Sequence, residues 1–180
     1  MDARGPARVT SRTLLDLGRV SNLPTVWTNV LAGAVLSGGR LDARTLTVLA
    51  LGASLFYVGG MFLNDAFDRD FDARARPERP IPSGRVGAGR VFTLGFAWMV
   101  GGLLLLALPW LRGAPGEALS WAPVAAGAVL AGLIVFYDAF HKGNPLSSVV
   151  MGLCRAMVYG MAALTVGVLN REVALGALVL

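Results

Sequence analysis

The feature that most limits how this chain can fold is its succession of long apolar stretches. Five runs, residues 20–37, 46–63, 91–111, 121–140 and 146–169, are each long enough to cross a bilayer, which takes about 20 helical residues. A sixth begins after Arg171 and is cut off at Leu180. The expected fold class is all-α: a multi-pass transmembrane helical bundle of about five complete spans plus the start of a sixth. It is read as one domain over residues 1–180, incomplete at its C-terminus.

Composition leads the same way. Hydrophobic residues make up 55% of the chain and the mean hydropathy is +0.63, well above what a soluble domain of this size requires. The formal charge of +5 could suggest a nucleic-acid partner. The basic residues sit mostly between apolar runs, however, where membrane topology accounts for them, so no nucleic acid is expected. Cys154 is the only cysteine, which excludes an intrachain disulfide. The basic N-terminus lacks a compact apolar core followed by a small-residue cleavage site, so no removable signal peptide is expected.

Orientation follows from the connections. One side carries Arg4, Arg8, Arg12, Arg19, Arg69, Arg74, Arg76, Arg79, Arg85, Arg90 and Lys142; the other has only Arg40, Arg44, Arg112 and Arg171. The positive-inside rule then puts the N-terminus in the cytoplasm, together with the acidic segment that follows the second run. The expected location is a bacterial-type plasma membrane, with Trp110 and Trp121 near the far interface, where amphipathic aromatics are favoured.

Residues 64–85, NDAFDRDFDARARPERPIPSGR, are the exception to the apolar pattern. Asn64, Asp68 and Asp72 recur every four residues, so on a helix they share a face, and Asp65 joins it from the side. Stacked carboxylates repel, and a hard divalent cation such as Mg2+, which takes oxygen ligands and bridges to phosphate, is a natural compensation. Arg69, Arg74, Arg76, Arg79 and Arg85 add forked cations suited to phosphate oxygens. The helix should stop before Pro77. Pro77, Pro80 and Pro82 then stiffen a strap able to hold Arg79 and Arg85 against the acids. Carboxylates, a metal and arginines together point to a polyanionic ligand; a solvated loop whose arginines only set topology is the alternative.

Other polar residues interrupt the spans. Asn22 and Asn29, seven apart on one face of the first run, suit either interhelical hydrogen bonding or substrate contact. Small residues such as Gly52, Ala53, Gly59, Gly60, Gly101 and Gly102 allow close helix packing. The fourth run ends in a second polar cluster, Tyr137, Asp138, His141 and Lys142, at the depth of the first. A lone histidine makes a poor metal site, so His141 is expected to have a structural or hydrogen-bonding role. Lys142 is either a phosphate cation or one more topology charge, and Gly143, Asn144 and Pro145 make a tight turn. Arg155 lies about 13 Å into the fifth run. Arginine at that depth either pairs with an aspartate or anchors an anionic ligand.

The pattern Asn64, Asp65, Asp68, Asp72 followed by Arg79-Pro80-Ile81-Pro82-Ser83-Gly84-Arg85 resembles the UbiA superfamily of intramembrane prenyltransferases. The opening NLPTVWTNVLAG is similar to that family's first helix, and the RPERPIPSGR variant resembles UbiA-like proteins of biosynthetic gene clusters. The resemblance implies the N-terminal part of a helical bundle of about nine spans around a cavity open to lipid. It implies an enzyme that moves a prenyl group from an isoprenyl diphosphate to a lipophilic acceptor, often an aromatic ring or quinone precursor. Carried over by position, Asn64, Asp68 and Asp72 would hold Mg2+ on the diphosphate, with Asp65 in support. Arg79, Arg85 and Lys142 would steady the pyrophosphate. Lys142 falls one residue later after Tyr137 than in the family's tyrosine-lysine pattern. Tyr137, Arg155 and Asn22 complete the expected diphosphate-binding set. The family's second aspartate motif lies beyond Leu180.

Two other functions compete. One is a non-catalytic or truncated membrane protein that binds an isoprenoid lipid. The other, a phosphatidyltransferase using a cytidine-diphosphate lipid, fits poorly because the glycine and arginine spacing among its aspartates is absent.

Overall fold

The computed structural model describes residues 10–111 and 121–179, the side chains of 109–111 excepted. Arg4, Arg8, Arg112 and the Trp110 side chain, used above for orientation, lie outside the described residues. The elements are helices: α1 (Ser11–Gly18), α2 (Leu23–Leu36), α3 (Ala43–Phe67), α4 (Arg69–Ala75), α5 (Ala88–Leu111), α6 (Ala122–Phe140), α7 (Ser147–Val166) and α8 (Arg171–Val179), with a 3-10 turn at Val20–Asn22.

Polar residues set the helix boundaries. The Asp42 carboxylate accepts from Thr45 N at 2.9 Å and starts α3; hydrogen bonding from the Thr45 side chain, and then from its backbone N–H, holds the Asp42 pKa below its usual value. The Asn170 side-chain oxygen Oδ1 accepts from Val173 N at 2.9 Å and starts α8. Each satisfies a backbone N–H that the first helical turn leaves without a partner. As the proline pattern requires, α4 stops at Ala75, two residues before Pro77.

Among the described residues four helices are long and apolar enough to cross a membrane: α3 with 25 residues, α5 over Ala88–Leu108 with 21, α6 with 19 and α7 with 20. The protein is an integral membrane protein. Large apolar side chains on these helices face outward, among them Trp98, Val100, Leu104, Val129 and Phe136, as expected where lipid rather than water is the neighbour.

The first apolar run departs from expectation. Its helix α2 has only 14 residues, about 21 Å of helix, so among the described residues four of the five expected spans reach full length. Arg19 adopts a left-handed backbone, φ 43°, and Pro24 begins a new helix after the 3-10 turn, so residues 20–22 are lost to α2. Asn22 therefore sits outside α2 and does not share its face with Asn29.

Helix α3 forms the centre. Leu49, Ala53, Phe56 and Leu63 pack in one core with Met99 and Leu106 of α5, Leu130 of α6, Met161 of α7 and Val30 of α2. Glycine permits the approach of α3 to α5: a Cβ on Gly59 would lie 2.8 Å from Gly95 O, closer than packed carbon tolerates. The same holds between α2 and α7, where a Cβ on Gly33 would stand 2.8 Å from Tyr159 Cα. A second apolar cluster, Leu17, Phe62, Ala66, Val86 and Val91 with Ile81 against it, fixes the proline strap to the end of α3 that carries the acids.

Candidate functional site

The acids lie where α3 ends, α4 begins and α6 finishes. Asn64 and Asp65 occupy the last turn of α3, Asp68 stands at the junction, and Asp72 follows in α4. The helix breaks at Asp68, yet Asp68 N still donates to Asn64 O at 2.9 Å and Asp72 N to Asp68 O at 2.8 Å. The four-residue spacing therefore survives the break. None of the three aspartates is splayed into solvent: Asp65 and Asp68 are 6% exposed and Asp72 only 1%.

Buried carboxylates are costly unless paired, and each of these has a cation. Arg79 Nη1 donates to Asp72 Oδ2 at 2.8 Å and to Asp65 Oδ1 at 3.2 Å. Arg19 Nη2 donates to the same Asp65 oxygen at 3.0 Å. Lys142 Nζ donates to Asp68 Oδ2 at 2.9 Å and lies 3.8 Å from the centre of the Phe71 ring, close enough for a cation–π contact. His141 Nε2 approaches Asp68 Oδ1 at 3.6 Å, its Nδ1 lies 3.1 Å from Tyr137 O, and its ring stacks on Tyr137 at 5.0 Å. His141 is thus a hydrogen-bonding residue beside the acids.

The strap places Arg79 by its own turns. Ser83 N donates to Arg79 O, Val86 N to Pro80 O, and Gly84 takes a positive φ of 74° that closes the turn. Arg85 differs from expectation. Its guanidinium caps the strap at Glu78 O, 2.6 Å, and lies 4.0 Å from Asp16, so it is not held against Asp65, Asp68 or Asp72. The strap curls back on itself after Pro82, and Arg85 reaches its inner carbonyl first.

Asn64 turns to α6: its Nδ2 donates to Asp138 Oδ1 at 3.1 Å. Asp138 is 4% exposed. Arg155 is exposed on α7, and Asn22 is exposed in the 3-10 turn. Asn22 makes no hydrogen bond to Asp65, Asp68 or Asp72.

Arg19 stands at this site without having been assigned to it from the sequence, and Asp138 was read there only as part of the second polar cluster. Arg19 is 46 positions from Asp65 and is indistinguishable in the sequence from the arginines that set topology. Asp138 did carry a signal, an acid one residue past Tyr137 at the end of an apolar helix, a position at which ionisable groups are functional by default.

The residues suit Mg2+ in kind. The side-chain carbonyl of Asn64 and the carboxylates of Asp65, Asp68 and Asp72 are hard oxygen donors. Asp72 Oδ1, and Asp138 Oδ2 beside Asn64, are buried without a hydrogen-bond partner. Asp65 and Asp72 nonetheless share Arg79 while Asp68 turns to Lys142, and among the described residues no three His, Cys, Asp or Glu side chains gather around one point.

A model of the UbiA prenyltransferase family matches residues 25–180. The digeranylgeranylglyceryl phosphate synthase of Methanothrix thermoacetophila is 31% identical over 136 residues, 75% of this chain and 47% of that protein. The protein of the same name from Methanopyrus kandleri is 41% identical over 93 residues, 50% of this chain and 34% of its own. A solved structure from work on digeranylgeranylglyceryl phosphate synthase in membranes superposes with a TM-score of 0.79 at 20% identity, covering 93% of this chain and 57% of that one. That likeness establishes the fold. The chain spans about half the length of the curated relatives it matches.

Proposed function

Since the chain belongs to the UbiA prenyltransferase family, we propose that the protein transfers a prenyl group from an isoprenyl diphosphate to a lipophilic acceptor within the membrane, with Mg2+ as cofactor. The observation that carries this reading is the row of three buried aspartates at one end of the spanning helices, each beside a basic side chain.

In this reading Asn64, Asp68 and Asp72, with Asp65 in support, would hold the Mg2+, which when bound would supply neutralising charge to a diphosphate. Arg79 and Lys142, now on Asp65, Asp72 and Asp68, are cations that could turn to phosphate oxygens. Charge collected there lets the allylic carbon–oxygen bond ionise, and an electron-rich acceptor captures the carbocation. Apolar walls of α3, α5 and α6 keep water from quenching it. Arg85 and Tyr137, by the family pattern, and Arg155 and Asn22, as polar residues within apolar runs, remain proposed for diphosphate binding. The charge asymmetry supports an arrangement in which the acidic end faces the cytoplasm.

The names of the relatives describe a glyceryl phosphate bearing two geranylgeranyl groups. That favours a prenylated glyceryl phosphate as acceptor over the aromatic ring. The test is turnover by the full-length protein in bilayer nanodiscs with labelled isoprenyl diphosphate, offering a prenylated glyceryl phosphate and an aromatic acid in parallel. Prenylated product that disappears with Asp68→Ala is the expected result. Turnover unchanged in Asp68→Ala rejects the reading, and donor binding without product favours an isoprenoid-binding protein instead.

A further inference from the structure

We propose that Asp138 is a positioning residue for Asn64: by accepting the side-chain amide N–H, it turns the amide so that its carbonyl oxygen is what Asn64 offers the aspartate cluster. The inference rests on the metal-binding reading above and deepens it.

Asn64 Nδ2 donates to Asp138 Oδ1 at 3.1 Å, so the nitrogen of the amide is the atom on the α6 side. The amide is planar, with oxygen and nitrogen on opposite sides of its axis. With the nitrogen committed to α6, only the carbonyl remains to face a hard cation, which an amide nitrogen would repel. An asparagine free to flip would spend part of its time presenting the wrong atom.

Asp138 is otherwise hard to account for. It is 4% exposed on a spanning helix, and its Oδ2 is buried with no hydrogen-bond partner. A half-satisfied buried acid is worse for stability than an apolar side chain of similar volume. Packing therefore does not explain it, whereas orientation of a neighbouring ligand does. Outer groups of this kind, bonded to a metal ligand rather than to the metal, are commonly needed for full affinity. The contact joins α3 to α6 across 74 positions of sequence, so it forms only once those helices are packed.

The test is direct Mn2+ binding to the purified full-length protein in nanodiscs, followed by electron paramagnetic resonance, with thermal unfolding as the check on folding. Asp138→Ala should weaken Mn2+ binding about 10-fold or more. Asp138→Asn, whose own carbonyl can accept the Asn64 amide, should restore binding to within about 3-fold, a rescue that loss of packing or charge would not allow. Asn64→Ala should add nothing in the Asp138→Ala background, as expected for two residues acting as one unit. If Asp138→Ala does not fold, Asp138→Ser, whose hydroxyl is too short to reach Asn64, is read in its place. Unchanged affinity in the alanine or serine variant, no rescue by asparagine, or additive losses would each overturn the proposal. Absence of any Mn2+ signal in the wild-type protein overturns it together with the metal reading on which it rests.

Discussion

Arg79 Nη1 stands 2.8 Å from Asp72 Oδ2, seven residues away along the chain, and the same nitrogen reaches Asp65 at 3.2 Å. One guanidinium thereby closes the strap onto α4 and the last turn of α3 together. Asp72 is 1% exposed, so the contact is made where water contributes little and an unpaired charge is expensive.

Arg79→Ala should therefore unfold more easily than wild type by about 3 kcal/mol, the lower end for a broken buried pair, because the Arg79 side chain itself is 22% exposed. Arg79→Lys should recover only part of this, since a single ammonium replaces the fork. Thermal or denaturant unfolding in nanodiscs measures both, and equal stability of all three proteins would contradict the pairing.

Arg19 supplies the second cation on Asp65, and its carbonyl accepts from Tyr57 Oη at 3.4 Å. A non-glycine residue with φ 43° costs about 1–2 kcal/mol of backbone strain, so contacts elsewhere must hold it. A double-mutant cycle with Arg19→Gln and Asp65→Asn should return a coupling of about 1–3 kcal/mol. Additive effects would show that the ion pair is of no consequence.

Lys142 lies on Asp68 from the far side of the cluster. Lys142→Met should raise the KM for the isoprenyl diphosphate and lower kcat at least about 10-fold, with Lys142→Arg intermediate. The comparison is steady-state prenyl transfer with the donor varied. Unaltered kinetics in the methionine variant would return Lys142 to the role of a topology charge.

Chelation provides a complementary check. Excess EDTA should abolish turnover, and added Mg2+ or Mn2+, both oxygen-preferring, should restore it. Calorimetric titration of Mg2+ into the apo protein should register binding that Asp72→Ala removes.

Glycine at the α3–α5 contact sets a packing test. Gly59→Ala places a carbon 2.8 Å from Gly95 O, while Gly132→Ala on α6 meets nothing within 4 Å. The first should cost about 1–3 kcal/mol, typical of overpacking; the second should be neutral. Unfolding of the two variants side by side decides it.

The sequence by itself determined the parts that depend on near neighbours. Hydropathy marked the stretches that became α3, α5, α6 and α7, the four-residue acid spacing put Asn64, Asp68 and Asp72 on one side, and Pro77 ended α4 where expected. These are local properties: helix rise, transfer of side chains into lipid, and proline sterics act within a turn or two of the residue concerned. Tertiary structure alone decided which cation meets which acid. Arg79 was drawn to Asp65 and Asp72 while Arg85 was kept by its own strap. Lys142 went to Asp68, and Asn64 found Asp138. Charges of one sign look alike along a chain, and their pairing is settled only when α3 packs against α6, which brings together groups 74 positions apart and leaves a buried carboxylate no partner but the one beside it.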